Sequence, residues 1–175
     1  MNKTITVFGS AKPLPGEKEY ITAYKLGRIL GEIECTVCTG GYKGIMDAVS
    51  KGARDMGSKA IGIILEKNLS QPSEHLSETI VCKTLLERVD TLINRGDGFI
   101  VLEGGTGTLL ELAAVWEYLN KALCDKKPVA CMGDTWRRIV AEIDIRLEKE
   151  ERESGLIKCF DTIEECAEYV CSQLE

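Results

Sequence analysis

The sequence predicts an α/β fold: a parallel, doubly wound sheet with helices on both faces, three layers in a single domain over residues 1–175. Three observations carry this. Strand-like apolar runs alternate with segments of helical period from one end of the chain to the other, the pattern of successive βαβ units. The run Ala60–Leu65 is apolar throughout, as strands covered on both faces are. Glycine-bearing turns at Gly9, Gly40 and Gly104 each follow such a run, which puts them at strand carboxyl ends, where open parallel sheets bind ligands.

Taken in order, Lys3–Phe8 is a β-rich run ending at Gly9-Ser10, and Ala11–Gly16, with two prolines, is loop. Glu17–Ile33 places Tyr20, Tyr24, Leu26, Ile29 and Leu30 at helical spacing. Cys35–Thr39 is a second strand, Gly40–Gly44 a glycine-rich turn and Ile45–Met56 a helix. After the strand Ala60–Leu65 comes Glu66–Glu78, polar and structureless, with the single histidine, His75, expected to be solvated. Thr79–Lys83 is a short strand. Thr84–Arg95 is a helix with Leu85, Leu86, Val89, Leu92 and Ile93 turned inward and Arg88 and Asp90 off that stripe. Gly98–Leu102 is a strand, followed by a turn and a helix to about Leu123. Lys127–Met132 is a strand with Pro128 at its start, where a missing N–H is tolerated. Asp134 is positioned to cap a helix through Trp136, Ile139, Ile143 and Leu147, which ends in the charge run Glu148–Glu153. Gly155–Phe160 leads into a last strand, and Asp161 caps a helix over Thr162–Leu174.

Composition removes several function classes. A net charge of −6 argues against nucleic-acid binding, which shows a basic patch or stripe. No apolar run reaches about 18 residues, so no membrane span is expected. The chain starts directly with a strand and carries no basic-then-apolar leader, so a cytoplasmic protein is expected. Of the 8 cysteines, Cys35, Cys38, Cys82 and Cys131 fall in strands and Cys166 and Cys171 in a helix, and they read as small buried hydrophobes kept reduced. Cys35-x-x-Cys38 has no second pair at zinc spacing, so no metal is expected.

The chemistry concentrates at Phe99–Glu111. A short apolar strand stops at Gly104-Gly105-Thr106-Gly107-Thr108, and a helical pattern starts at once. Strand, glycine turn and helix aim several backbone N–H groups with no intrahelical partner at one point, and the helix dipole adds partial positive charge. That is an anion site, most often for phosphate. The spacing G-G-x-G-T-x-x-E is neither the dinucleotide fingerprint nor the P-loop, and it carries a carboxylate, Glu111, one turn into the helix. Thr108-x-x-Glu111 equally reads as a capping box, and the two readings compete for the same side chain.

That turn resembles the P-G-G-x-G-T-x-x-E signature of the LOG family, cytokinin riboside 5′-monophosphate phosphoribohydrolases often labelled lysine decarboxylases. Leu86-Glu87-Arg88 resembles the family's M-x-x-R-K, Gly40-Gly41-Tyr42-Lys43-Gly44-Ile45-Met46 its G-G-x-x-G-x-M turn, and Val7-Phe8-Gly9-Ser10 its first strand and turn. The resemblance runs from about Val7 to Pro128 and implies a Rossmann-like fold, no cofactor, and a homodimer with the site near the subunit contact. It implies Arg88 and Glu111 as the catalytic pair, with Gly104, Gly105, Thr106, Gly107, Thr108, Gly9, Ser10, Gly40, Gly41 and Met46 holding a nucleoside monophosphate substrate. Two departures stand out: Glu103 replaces the signature proline, and Val89 stands where a lysine is usual.

Cleaving an N-glycosidic bond builds positive charge at the ribose C1′, which a carboxylate stabilises while it attacks or aligns a water. An arginine is no useful proton donor; it clamps phosphate, orients the carboxylate or hydrogen-bonds the leaving base. Without the resemblance, Arg88 reads as a surface arginine paired with Glu87 or Asp90. The competing function is a non-enzymatic nucleotide or molybdenum-cofactor carrier, in which the same turns only hold a phosphate. Literal lysine decarboxylation normally needs a lysine bearing pyridoxal phosphate, and no lysine here has a fitting context. The helix after Gly107 carries more apolar residues than one buried stripe needs, Leu110, Val115 and Leu119 among them, which also predicts a partner surface.

Overall fold

The computed structural model describes residues 3–67 and 70–174. Strands and helices alternate except between β3 and β4, which follow one another without an intervening helix: β1 (Thr4–Phe8), α1 (Lys18–Glu32), β2 (Thr36–Thr39), α2 (Ile45–Asp55), β3 (Ala60–Leu65), β4 (Glu78–Cys82), α3 (Leu85–Arg95), β5 (Gly98–Val101), α4 (Thr106–Asn120), β6 (Val129–Met132), α5 (Asp134–Lys149), β7 (Ile157–Phe160) and α6 (Ile163–Ser172). All adjacent strands pair in parallel, in the order β4-β3-β2-β1-β5-β6-β7. The chain winds outward from β1 to β4, returns, and winds the other way from β5 to β7. The switch point therefore lies between β1 and β5.

The period-2 alternation of the strands divides the core into two layers. Ile5 and Val7 of β1 and Ile100 of β5 join the layer under α1, α2 and α6, with Leu26, Leu30, Val49 and Val170. Phe8 of β1 and Phe99 and Val101 of β5 join the opposite layer, with Leu92, Leu112, Trp116 and Trp136 of α3, α4 and α5. Phe8 and Phe99 stack there with ring centroids 5.9 Å apart. α1 and α2 meet backbone to backbone, since a Cβ on Gly27 or Gly52 would strike main-chain atoms of the other helix.

Several local expectations are corrected. The boundary residue of α5 is Gly133, and Asp134 makes no side-chain cap. The last helix is capped by Thr162 in a reciprocal box with Glu165, not by Asp161, which instead pairs with Arg137. A matching box joins Thr84 and Glu87 at the start of α3. By contrast α4 starts after Gly105 with no side-chain cap, so Thr108-x-x-Glu111 is not a capping box. Leu85 and Leu86 face outward, 48% and 72% exposed, while Arg88 is buried. The inward stripe of α3 is thus Arg88, Val89, Leu92 and Ile93. On α4, Val115 and Leu119 are core residues rather than surplus surface, whereas Leu109 and Leu110 remain partly exposed.

The described part of the loop before β4 is pinned at Ser73 and is not structureless; residues 68–69 lie outside the described residues. Ser73 donates its N–H to the Gly41 carbonyl at 2.8 Å and its hydroxyl to Asp47 at 2.6 Å. Asp47 also accepts from Tyr20 Oη at 2.6 Å, so α1, α2 and this loop share one carboxylate. His75 is half-buried on that loop and donates its backbone N–H to Ser73 Oγ. Among the described residues no helix is long and apolar enough to cross a membrane, and no group of three or more His, Cys, Asp or Glu side chains is placed to hold a metal. None of the 8 cysteines is in a disulfide.

Candidate active site

The strand ends around the switch point bring the three glycine turns together. Ser10 donates its N–H to the Glu103 carbonyl at 2.9 Å, tying the turn after β1 to the turn after β5. The Ser10 carbonyl accepts from Ile45 at 2.8 Å, tying the first of these to the start of α2. Close approach is possible because Gly44 has no side chain: a Cβ there would collide with the Ser10 carbonyl oxygen, and its φ of +70° belongs to glycine's range. The Ser10 hydroxyl serves its own turn, accepting from Lys12 N–H at 3.1 Å.

After β5 the chain enters α4 at Thr106. Leu109 N–H is the first in this stretch to find a helical partner, the Gly105 carbonyl at 3.0 Å. The amides of Thr106, Gly107 and Thr108 are the orphan donors every helix start leaves. Gly105, Thr106 and Gly107 are exposed, and a Cβ on Gly105 or Gly107 would meet nothing within 4 Å, so the turn is open to a ligand. Thr108 is buried against Gly104, where a Cβ would collide with its side chain.

One turn further along α4, Glu111 points inward and is 8% exposed. It accepts from Arg88 Nη1 at 3.2 Å. The remaining arms of Arg88 are occupied by backbone: Nε donates to the Ile63 carbonyl at 2.7 Å and Nη2 to the Gly40 carbonyl at 3.0 Å. The Tyr42 ring lies 5.7 Å from the guanidinium carbon. Gly40 is required here, because a Cβ would run into Arg88 Nη2 and Met46 Sδ. Arg88 is therefore not a surface arginine paired with Glu87 or Asp90. Glu87 is engaged by the helix cap, and Asp90 accepts from Tyr118.

Burial is the larger influence on Glu111 and pushes its carboxyl up to about 7 against the pull of Arg88. An exposed ion pair would have the opposite outcome; here withdrawal from water outweighs one hydrogen bond from a guanidinium shared with two carbonyls. The site therefore holds a carboxyl that exchanges its proton near neutrality, beside a fixed positive charge, next to three free amide donors.

Glu103 diverges from this cluster. It lines a cavity of about 310 Å³ with Lys18, Glu19, Thr22 and Met132, and its carboxylate lies against Gly133. Burial raises its carboxyl, with Glu19 and Asp134 adding to the effect. Val89 is buried in the α3 layer and presents nothing polar to the site. Gly9, Gly40, Gly41 and Met46 sit where the turns converge, joined by Ile63 and Tyr42, which the motif residues alone do not predict. Tyr42 lies inside a glycine motif and so carries a sequence signal; a carbonyl from β3 has no signature in side-chain identity.

A model of the SLOG cluster4 family matches residues 2–165. The chain belongs to this family. Among its relatives, the cytokinin riboside 5′-monophosphate phosphoribohydrolase of Mycobacterium tuberculosis is 34% identical over 137 residues, 76% of this chain and 71% of that one. The enzyme of the same name from Rhodococcoides fascians is 31% identical over 138 residues, 75% of this chain and 68% of the relative. The solved structure of the molybdenum cofactor binding protein from Rippkaea orientalis superposes with a TM-score of 0.80 over 100% of this chain and 99% of its own, at 24% identity. At that identity the likeness shows the fold alone.

Proposed function

We propose that this chain hydrolyses the N-glycosidic bond of a nucleoside 5′-monophosphate, of the AMP or cytokinin riboside monophosphate type, to free base and ribose 5-phosphate. The observation that carries the reading is the buried Arg88–Glu111 pair set one helical turn behind three free amide donors. The names of the M. tuberculosis and R. fascians relatives support it.

In this reading the amides of Thr106, Gly107 and Thr108 hold the 5′-phosphate and so fix the ribose against Glu111. As the bond from C1′ to the base nitrogen breaks, its electron pair leaves with the base and C1′ gains positive charge. The Glu111 carboxylate faces that charge. A water oxygen bonds to C1′, Glu111 takes the water's proton, and the base nitrogen gains a proton from solvent. A carboxyl poised near neutrality suits such proton transfer. Arg88 orients Glu111. With Nε and Nη2 committed to the Ile63 and Gly40 carbonyls, it has little freedom to swing onto a phosphate.

A carrier that only holds a phosphate would use the same turns but has no use for a buried carboxyl beside them, since a negative charge weakens anion binding. Incubation with AMP, followed by measurement of free adenine and ribose 5-phosphate, separates the two. Release of both products that is lost in Glu111→Gln supports hydrolysis. Saturable binding of AMP and of other nucleoside monophosphates, with no base released from any, assigns the carrier function instead.

A further inference from the structure

On the same side of the sheet, but apart from the glycine turns, a cleft of about 370 Å³ opens between α4 and α5. Its floor is Leu112, Trp116 and Leu147, each no more than 5% exposed, and its rim includes Leu109 and Ile143. Two polar atoms stand out in this apolar setting. Trp116 Nε1 and Asn120 Oδ1 are both withdrawn from solvent, and neither has a hydrogen-bond partner among the described residues. A buried indole N–H ordinarily finds an acceptor, and an orphaned pair is costly. The two residues are four apart on α4, one turn from each other on one face. One atom can only donate and the other can only accept.

The charges lining the cleft are spoken for. Arg152 donates to Glu117 at 2.8 Å, and Lys121 also pairs with Glu117. Among the described residues no unpaired charge lines the cleft, so it selects a neutral molecule. Its size suits one or two rings, and its flat apolar floor suits a planar one.

We infer that the α4–α5 cleft binds a small, neutral, planar heterocycle carrying an acceptor and a donor side by side on one edge, as a lactam does. On binding, the Trp116 and Asn120 side chains turn toward the ligand: its acceptor takes the Trp116 N–H, its donor gives to Asn120 Oδ1, and the ring lies on Leu112 and Leu147. This site is independent of the hydrolytic reading, because none of its polar contacts involves Arg88, Glu111 or the glycine turns.

The test uses ¹⁵N-labelled full chain and 2-pyridone as the probe. The chain has 2 tryptophans, so two indole N–H signals report. Trp136 Nε1 already donates to the Leu102 carbonyl at 2.9 Å and serves as an internal reference. The Trp116 signal is expected to move saturably on titration while that of Trp136 stays. N-methyl-2-pyridone, which lacks the donor, should bind about tenfold more weakly, and Asn120→Leu should weaken 2-pyridone by a similar factor, the worth of one hydrogen bond. The unmoved Trp136 signal shows that this variant is folded. No saturable shift, equal affinity for the two probes, or parallel movement of both indole signals overturns the assignment.

Discussion

Arg88 and Glu111 lie 23 residues apart in the chain and meet at 3.2 Å, with side chains only 9% and 10% exposed. The guanidinium is simultaneously held by the Gly40 carbonyl just after β2 and the Ile63 carbonyl within β3, so it is fixed to the sheet, and Glu111 is the partner whose proton exchanges near neutrality. A buried pair of this kind is poor evidence of stabilisation and better evidence of a site.

The raised Glu111 carboxyl has consequences of known sign. Its folded-state value, about 7, exceeds its ordinary 4.5, so the folded protein binds more protons than the unfolded chain between those values. The stability this contributes is fully present below pH 4.5 and is lost as pH rises through 7. By linkage the loss is on the order of 3 kcal/mol. Glu111→Gln cannot titrate and should flatten that part of the curve. Chemical unfolding across pH 4 to 8 should show parent and variant nearly equal at the acid end and the variant more stable at the alkaline end.

Activity should run the other way. Hydrolysis that needs the ionised carboxylate should rise with pH through about 7. Glu111→Gln should lower it by on the order of 10²-fold or more. A gain in stability together with a loss of turnover would identify Glu111 as a residue held at a functional cost. Turnover equal to the parent's would remove it from the mechanism.

Gly40→Ala tests the positioning of Arg88. The added methyl would meet Arg88 Nη2 and Met46 Sδ, side-chain atoms and not backbone. The fold should therefore survive, with a loss within about 2 kcal/mol, while the guanidinium is pushed off Glu111. AMP hydrolysis should fall at least tenfold and its pH profile should shift. A variant with the parent's pH profile would show that the carbonyl cradle does not govern the pair.

Gly107→Ala separates ligand binding from folding. Its new methyl meets nothing within 4 Å and lies in the first turn of α4, where alanine is the better helix former by roughly 0.5–1 kcal/mol. Thermal stability should hold or rise, while AMP affinity by calorimetry should drop, because the methyl intrudes where the phosphate is proposed to sit. Undiminished affinity would move the phosphate elsewhere.

Assembly as a homodimer is also proposed. Leu86 is 72% exposed, and Leu109 and Leu110 add partly exposed apolar surface on α4. α3 and α4 are bridged by Arg88–Glu111 and by Tyr118 donating to Asp90 at 2.7 Å. Light scattering should give twice the mass of one chain, and Leu86→Glu should reduce it to one. A monomeric parent at micromolar concentration would refute this.

The parallel order of elements was legible from the sequence because each strand and helix carries its own period. Buried runs such as Ala60–Leu65 left few alternatives. The glycine turns were legible for a related reason: close backbone approach, as at Gly44 beside Ser10, admits only one residue type. The partner surface on α4 was overread, since an apolar residue such as Val115 looks the same whether it faces a sheet or a second chain.

The sequence by itself determined the winding of the sheet and the placing of Glu111 one turn behind an open phosphate-type turn. Whether that carboxylate capped its helix or faced the site was decided only by tertiary structure, because T-x-x-E satisfies both. The α3 stripe turned Arg88 inward, and the carbonyls of Gly40 and Ile63 captured it; Glu111 then had a buried cation within 3.2 Å. Those carbonyls carry no mark in the sequence. They come from β3 and from the turn after β2, 25 and 48 residues away from Arg88, and only the register of the sheet brings them to one point.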